Sequence, residues 1–161
     1  MIGAADENVA LFFHLTGAFL LVSGSVVAAV GFESARRRGL AREVALLLGL
    51  ARIGGVLVGA GVLLVVPFGL WLVHIERVGY GATWVDAALG LLVVVVAIGA
   101  AGGQAPKRAR QIAAGLGEDE PANAELRALL DDLGARILNY SAGMLLTVII
   151  ALMVFKPGGA A

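Results

Sequence analysis

The apolar block over residues 87–103, AALGLLVVVVAIGAAGG, contains no polar side chain. A soluble helix buries one stripe and keeps a polar face for water, and this block has no such face. Inside a bilayer every backbone amide needs an internal partner, so a spanning segment must be a helix or a strand of a closed barrel. The block lacks the alternation of apolar and polar residues that barrel strands show. It therefore predicts a transmembrane helix.

Three further blocks have the same character, and together the four organise the whole chain. We predict spans at residues 9–32, 53–75, 82–103 and 137–155, which contain 19 to 24 residues each. About 18 mostly apolar residues are enough to cross the hydrocarbon core of a bilayer. The prediction is an all-α, four-helix transmembrane bundle that forms a single membrane domain over residues 1–161 and is surrounded by lipid.

The basic residues collect in alternate connections between these spans. Ten of the twelve Lys and Arg residues lie in the segments 33–52 and 104–136. Because cytoplasmic loops carry an excess of Lys and Arg, we predict that these two segments face the cytoplasm of a bacterium, with both termini outside its inner membrane. Apolar residues recur at helical spacing between Leu126 and Ile137. We therefore expect short amphipathic helices in the cytoplasmic loops, lying on the membrane or on the end of the bundle.

The residue inventory excludes several classes of function. The chain has no cysteine, which excludes disulfides, thiolate metal sites and cysteine nucleophiles. Its formal net charge is zero, so no global electrostatic attraction to nucleic acid is expected. No glycine-rich phosphate loop and no Ser-His-Asp order is present. The sequence therefore indicates a protein without the enzyme chemistry of soluble domains.

Three ionisable residues are predicted near the outer face of the membrane, although they are far apart in the sequence. His14 lies five residues inside the first span, His74 at the outer end of the second, and Asp86 four residues into the third. Small residues share the helical faces of His14 and Asp86, so both side chains are expected to point into the bundle. An ionisable group inside a span is costly, which makes it a functional hypothesis.

Several functions fit this placement, and the residues alone leave them open. His14 and His74 can hold a haem iron, such as that of haem b, as two axial ligands, or His14, His74 and Asp86 can hold a transition metal. A His–Asp pair can instead carry protons in a small transporter or an accessory subunit of a membrane complex. The simpler interpretation is that His74 is interfacial, Asp86 pairs locally, and His14 bonds a carbonyl or a hydroxyl group.

Glycines four residues apart suggest close packing of helices. Gly55 with Gly59, and Gly99 with Gly103, are small pairs of the kind that lets two helix backbones approach each other. The partner helix of such a pair belongs either to this chain or to another copy in a homo-oligomer, and the sequence does not distinguish the two.

Three segments carry a resemblance to a known family: FFHLTGAFLLVSGS in the first span, WLVHIERVGYGATW around the outer turn, and LMVFKPGG near the end. They resemble the predicted integral membrane proteins of the domain of unknown function 2269 family. This resemblance implies a bacterial inner-membrane protein with four helices. More distantly, His14 near the start of the first span is similar to the copper-resistance D type and HemJ-like four-helix membrane proteins, which implies a link to copper or haem.

Overall fold

The computed structural model describes residues 4–75, 82–117 and 119–157, and most of them are helical. Four stretches are long and apolar enough to cross a membrane: Ala5–Arg36, Ala41–Ile75, Thr83–Gly115 and Ala124–Phe155. The predicted all-α bundle of four spanning helices is confirmed in these terms. Six helices make up the described chain: α1 (Ala4–Arg36), α2 (Ala41–Ile75), α3 (Thr83–Gly102), α4 (Gln104–Gly115), α5 (Ala124–Leu130) and α6 (Leu133–Phe155).

Helices α1 and α2 form a tight antiparallel pair whose contact surface is built on glycine. An added Cβ at Gly54 would lie 2.5 Å from the backbone nitrogen of Ala28, and one at Gly61 would lie 2.7 Å from that of Leu21. Only a residue without a side chain fits at such distances. We call the five glycines in this contact the glycine seam: Gly17, Gly24 and Gly31 on α1, and Gly54 and Gly61 on α2.

The spacing within the glycine seam is seven residues on both helices. A seven-residue repeat averages 3.5 residues per turn, which keeps one face of each helix against its partner over several turns. The pairs that are four residues apart behave differently. A Cβ added at Gly55, Gly59 or Gly99 would meet nothing within 4 Å in the described structure, so these positions are not contacts within the chain.

Helix α3 packs mainly against α6, and this pair meets through side chains. Leu92 and Val95 of α3, together with Leu146 of α6, are each less than a tenth exposed. Residues from both helix pairs form one buried cluster in the middle of the bundle: Leu21, Val65, Ala88, Leu92, Val95, Leu146 and Ile149. This cluster joins the α1–α2 pair to the α3–α6 pair.

The connections between the helices build a second core at one end of the bundle. The α1–α2 connection covers only residues 37–40, because α2 is already helical from Ala41, and most of the loop predicted at residues 33–52 is helix. The other connection carries α4 and α5, and Leu126 and Leu130 of α5 are fully buried. The apolar side of α5 therefore packs on the protein. The core contains Phe32, Ala35, Val44, Leu48, Ala109, Ala113, Leu126 and Leu130.

Backbone hydrogen bonds tie the two connections together. The amide of Ala41 donates to the carbonyl of Glu120 at 3.0 Å, and the amide of Ala122 donates to the carbonyl of Gly39 at 2.9 Å. We call this end, with the last turn of α1 and the connections at residues 37–40 and 104–132, the basic end. The opposite end carries Phe12, Phe13, Phe68 and Trp71, and we call it the aromatic end.

Two side-chain caps begin the last two helices of the described chain. The side-chain oxygen of Asn123 accepts from the amide of Leu126 at 2.8 Å, which starts α5. The carboxylate of Asp132 accepts from the amides of Gly134 and Ala135 at 2.8 and 3.3 Å, which starts α6. Each cap satisfies helix amides that have no partner within their own helix. The two caps fix where the chain turns from the basic end into the last span.

Candidate functional site

His14 of α1 contacts the backbone of α2 near the aromatic end. Its Nδ1 lies 3.1 Å from the carbonyl oxygen of Val65, and its side chain is half-buried. A carbonyl oxygen only accepts hydrogen bonds, so Nδ1 must carry the proton and donate it. This is the carbonyl bond that the simpler interpretation of His14 predicted. The expectation that His14 points into the bundle is therefore confirmed.

A glycine of α2 makes the room for the imidazole. A Cβ added at Gly69 would lie 3.0 Å from both Cε1 and Nδ1 of His14. Such a distance is shorter than about nine in ten real Cβ contacts, so the ring would have to shift by a few tenths of an ångström to admit a side chain at position 69. Val65 and Gly69 are one helical turn apart on the same face of α2. Together they form a notch that receives the ring of His14.

The second ring nitrogen of His14 is left for other chemistry. Within the described residues, the bond to Val65 is the one hydrogen bond that the imidazole makes. With Nδ1–H held by a carbonyl, Nε2 is unprotonated in the neutral ring and can accept a proton or bind a metal. Metal-ligating histidines almost always donate their other N–H to a carboxylate, a carbonyl or water. The imidazole of His14 therefore has the orientation of a ligand.

Aromatic rings lie at the same end of the α1–α2 pair. Phe13, which precedes His14, stacks on Phe68 with ring centroids 4.7 Å apart and an interplanar angle of 22°. Phe12 contacts the edge of Phe13 at 5.4 Å, and Trp71 lies 5.9 Å from Phe68. This aromatic cluster offers flat apolar surface on which a planar ligand can pack.

The structure does not bring the other two predicted site residues to His14. His74 is exposed near the end of α2, five residues beyond Gly69. At about 100° per residue, five residues rotate a helical position by about 140°, and they advance it by about 7–8 Å. Position 74 therefore lies on a different side of α2 from the notch. This geometry does not favour one iron held by both His14 and His74.

Asp86 lies on an outward face of α3. The residue is exposed, as are Gly90, Ala97 and Ala101, the small residues that share its helical face. The expectation that Asp86 points into the bundle is therefore wrong. Among the described residues, no group of three or more His, Asp or Glu side chains comes together that can hold a metal ion. The metal set of His14, His74 and Asp86 is not assembled in the structure.

A second polar arrangement lies at the basic end. The guanidinium of Arg36 bonds Glu33 on its own helix and Asp131 at the end of α5, both at 3.0 Å. The guanidinium of Arg127 donates to the backbone carbonyl of Arg36 at 3.3 Å. These contacts connect the end of α1 to the segment between α5 and α6. These ion pairs and the bond to the backbone hold the helices together at this end.

Sequence reasoning missed the notch and the glycine seam. Only glycines four residues apart were considered in the sequence, and Gly69 is not one of them. The signal that predicts the seam is the seven-residue spacing of Gly17, Gly24 and Gly31. A search limited to pairs four residues apart does not detect it.

Comparison with known proteins agrees with this architecture. The family described as predicted integral membrane proteins, domain of unknown function 2269, matches residues 8–157. Neither the curated proteins nor the solved structures include one that matches this chain. The family match covers all four candidate spans, both connections and the notch around His14. The chain therefore belongs to the domain of unknown function 2269 family of predicted integral membrane proteins.

Proposed function

We propose that this integral membrane protein lies in the inner membrane of a bacterium with its basic end in the cytoplasm and both termini outside. The support is the charge asymmetry, because ten of twelve Lys and Arg residues flank the basic end. Loops rich in Lys and Arg stay on the cytoplasmic side of the inner membrane, which would orient the chain in this way.

Cysteine labelling tests this orientation cleanly, because the chain has no cysteine of its own. Ala5 and Arg38 are both exposed, at opposite ends of α1. A membrane-impermeant maleimide should label Ala5→Cys in intact cells and should label Arg38→Cys only after the membrane is opened. Labelling of Arg38→Cys alone in intact cells would reverse the proposed orientation.

We further propose that the protein binds haem or another redox metal between its helices, with His14 as the ligand through Nε2. One observation carries this proposal: the Nδ1–H of His14 is held by the carbonyl of Val65 at 3.1 Å, which leaves Nε2 as the basic nitrogen. A bound haem would supply a redox-active iron at this position. The residues of the chain orient the imidazole and limit its rotation.

The residues around the notch fit a planar apolar ligand. Gly69 admits the ring of His14 close to α2, and the stacked rings of Phe13 and Phe68 lie next to it. His74, the second predicted haem ligand, is exposed and rotated away from the notch. The proposal therefore rests on His14 as the protein ligand. His74 would be needed only if the iron had two histidine ligands.

Absorption spectroscopy and metal analysis of the mildly solubilised full chain test this proposal. A Soret band or a bound metal should be present and should be lost in His14→Ala. His74→Ala is the matched control, and it should retain the cofactor if His14 is the ligand. Equal loss in both variants would indicate the two-histidine site. A colourless, metal-free protein from cells supplied with iron and copper would overturn the proposal in favour of the alternative, a small transporter or accessory subunit.

A smaller change at the notch separates ligand geometry from general stability. Gly69→Ala places a methyl group 3.0 Å from the His14 ring and must displace it. Gly59→Ala, on the same helix, adds a methyl group that meets nothing within 4 Å. The proposal expects reduced cofactor content for Gly69→Ala at unchanged helical content, with Gly59→Ala unaffected. Equal cofactor content in the two variants would show that the cofactor does not bind at the notch.

A further inference from the structure

A cleft of about 330 Å³ lies between α4 and α5 at the basic end, away from the notch of His14. Its volume is at the lower end of the range for small-molecule sites. The lining is mostly apolar and carries one charge of each sign, a cation on α4 and an anion on α5. The lining residues are Arg108, Gln111 and Ile112 of α4, and Glu125, Ala128 and Leu129 of α5.

The two charged side chains of the cleft do not contribute bonds that hold the helices together. Within the described residues, neither Arg108 nor Glu125 makes an ion pair or a hydrogen bond. Arg36 at the same end, by contrast, bonds both Glu33 and Asp131. The cleft thus holds a cation and an anion on opposite walls, more than an ion-pair distance apart, above apolar side chains.

The position of α4 places this cleft near the membrane surface. The predicted apolar span ends at residue 103, and Gly103 keeps near-helical backbone angles (φ −74°, ψ −10°) between α3 and α4. Arg108 follows Gly102 by six residues, or about 9 Å of helix. The headgroup layer on each side of a bilayer is about 5–8 Å thick. A long arginine side chain at this height reaches the lipid headgroups.

We propose that this cleft binds the headgroup of a zwitterionic phospholipid that carries a primary amine. Arg108 bonds the phosphate, Glu125 bonds the ammonium group, and the apolar floor formed by Ile112 and Leu129 accommodates the carbons between and beside them. Paired charges of opposite sign match a phosphoethanolamine group, and they match an anionic headgroup poorly because Glu125 repels it. Charge-assisted bonds to phosphate and ammonium are the stronger class of hydrogen bond.

Native mass spectrometry of the full chain, released from nanodiscs of defined composition, tests this site. In nanodiscs with equal amounts of phosphatidylethanolamine and phosphatidylglycerol, the protein should retain one phosphatidylethanolamine molecule in preference. Retention should fall about three- to tenfold in both Arg108→Gln and Glu125→Gln. Lys107→Gln is the matched control, because Lys107 is an exposed cation on the same turn of α4 but does not line the cleft.

The remaining outcomes contradict the proposal. Preferential retention of phosphatidylglycerol, increased in Glu125→Gln and lost in Arg108→Gln, would make the cleft a site for anionic lipid. Equal retention of both lipids, or equal loss in the Lys107→Gln control, would show only general attraction to a basic surface. Binding of free phosphoethanolamine without retention of the lipid would assign the cleft to a soluble zwitterion instead. Circular dichroism of each variant monitors its helical content.

Discussion

The two helix pairs of the bundle are held together in opposite ways. In the α1–α2 pair the backbones approach each other at five glycines, where an added Cβ would contact the backbone or the first side-chain atoms of the partner. In the α3–α6 pair the contact is made by large side chains such as Leu92 and Leu146. A backbone contact tolerates no added atom, whereas a side-chain contact can repack. We infer that the α1–α2 contact fixes the relative position of its two helices, whereas the side chains of the α3–α6 contact can adjust to a substitution.

The largest effect is expected from adding one methyl group to the glycine seam. Gly54→Ala places a Cβ 2.5 Å from the nitrogen of Ala28 and 2.6 Å from the oxygen of Gly24, and neither backbone atom can move aside alone. We expect a loss of about 2–3 kcal/mol in the free energy of unfolding. Gly55→Ala, whose Cβ meets nothing within 4 Å, is the adjacent control and should not destabilise. If the two variants are equally stable in bicelles, the glycine seam does not determine how closely α1 and α2 pack.

A smaller effect is expected from shortening a side chain in the α3–α6 pair. Leu146→Ala leaves a cavity beside Leu92 and Val95. Lipid tails are as apolar as leucine, so mainly the packing part of the usual leucine-to-alanine loss remains, and we expect about 1–2 kcal/mol. Met144→Ala, at a residue that is 74% exposed, should change the free energy of unfolding very little. A larger loss than that of Gly54→Ala would reverse the comparison.

Removing the imidazole tests how much the notch adds to the seam. His14→Ala removes the hydrogen bond to Val65 and the ring that fills the space at Gly69. The expected loss in the absence of cofactor is about 1 kcal/mol, which is typical of one hydrogen bond. Thr16→Ala is a suitable control, because its hydroxyl bonds a carbonyl of its own helix. If the two variants unfold alike, the notch adds nothing to the pairing of α1 with α2.

The smallest effect is expected at the basic end, where charges connect α1 to the segment before α6. Arg36→Gln removes the bonds to Glu33 and Asp131, which lie partly in solvent. Ion pairs of this exposure contribute about 0.5–1 kcal/mol and are screened by salt. The difference from the unsubstituted protein should therefore shrink between low and high salt. Arg37→Gln, at a side chain that is 77% exposed, should show less than half of this change.

The spans could be predicted because hydrophobic length is a local property of the sequence. The helical spacing that continues from Leu126 to Ile137 was followed only in part: Leu126 and Leu130 are buried in α5, whereas Leu133 and Ile137 belong to α6 and are exposed. The unbroken run of α2 from Ala41 was not predicted, because the charges of Arg42 and Glu43 assigned this part to a loop with a short amphipathic helix of its own. What buries that part of α2 is the pair α4 and α5, which follows much later in the chain.

The sequence predicts a shared depth for the three candidate site residues, whereas the direction in which each side chain points depends on helix packing. Counting residues from the span ends placed His14, His74 and Asp86 at similar heights in the membrane. The rotation of each helix depends on which neighbours it packs against, and small residues at Gly90 and Ala97 turned out to lie on an outward face. His14 was placed correctly because Gly17 and Gly24 on its side of α1 are in the seam. Small residues predict an inward face only where a partner helix uses them.

The joined connections at the basic end have a consequence for biogenesis. Phe32 and Leu48 belong to the core that Leu126 and Leu130 complete, and the backbone bonds of Gly39 and Ala41 are made to residues 122 and 120, respectively. Because a chain is synthesised from its N-terminus, the first hairpin enters the bilayer with this apolar surface uncovered. Closure must wait until the third helix has been inserted and α5 has left the ribosome. Correct assembly thus depends on the order of translation.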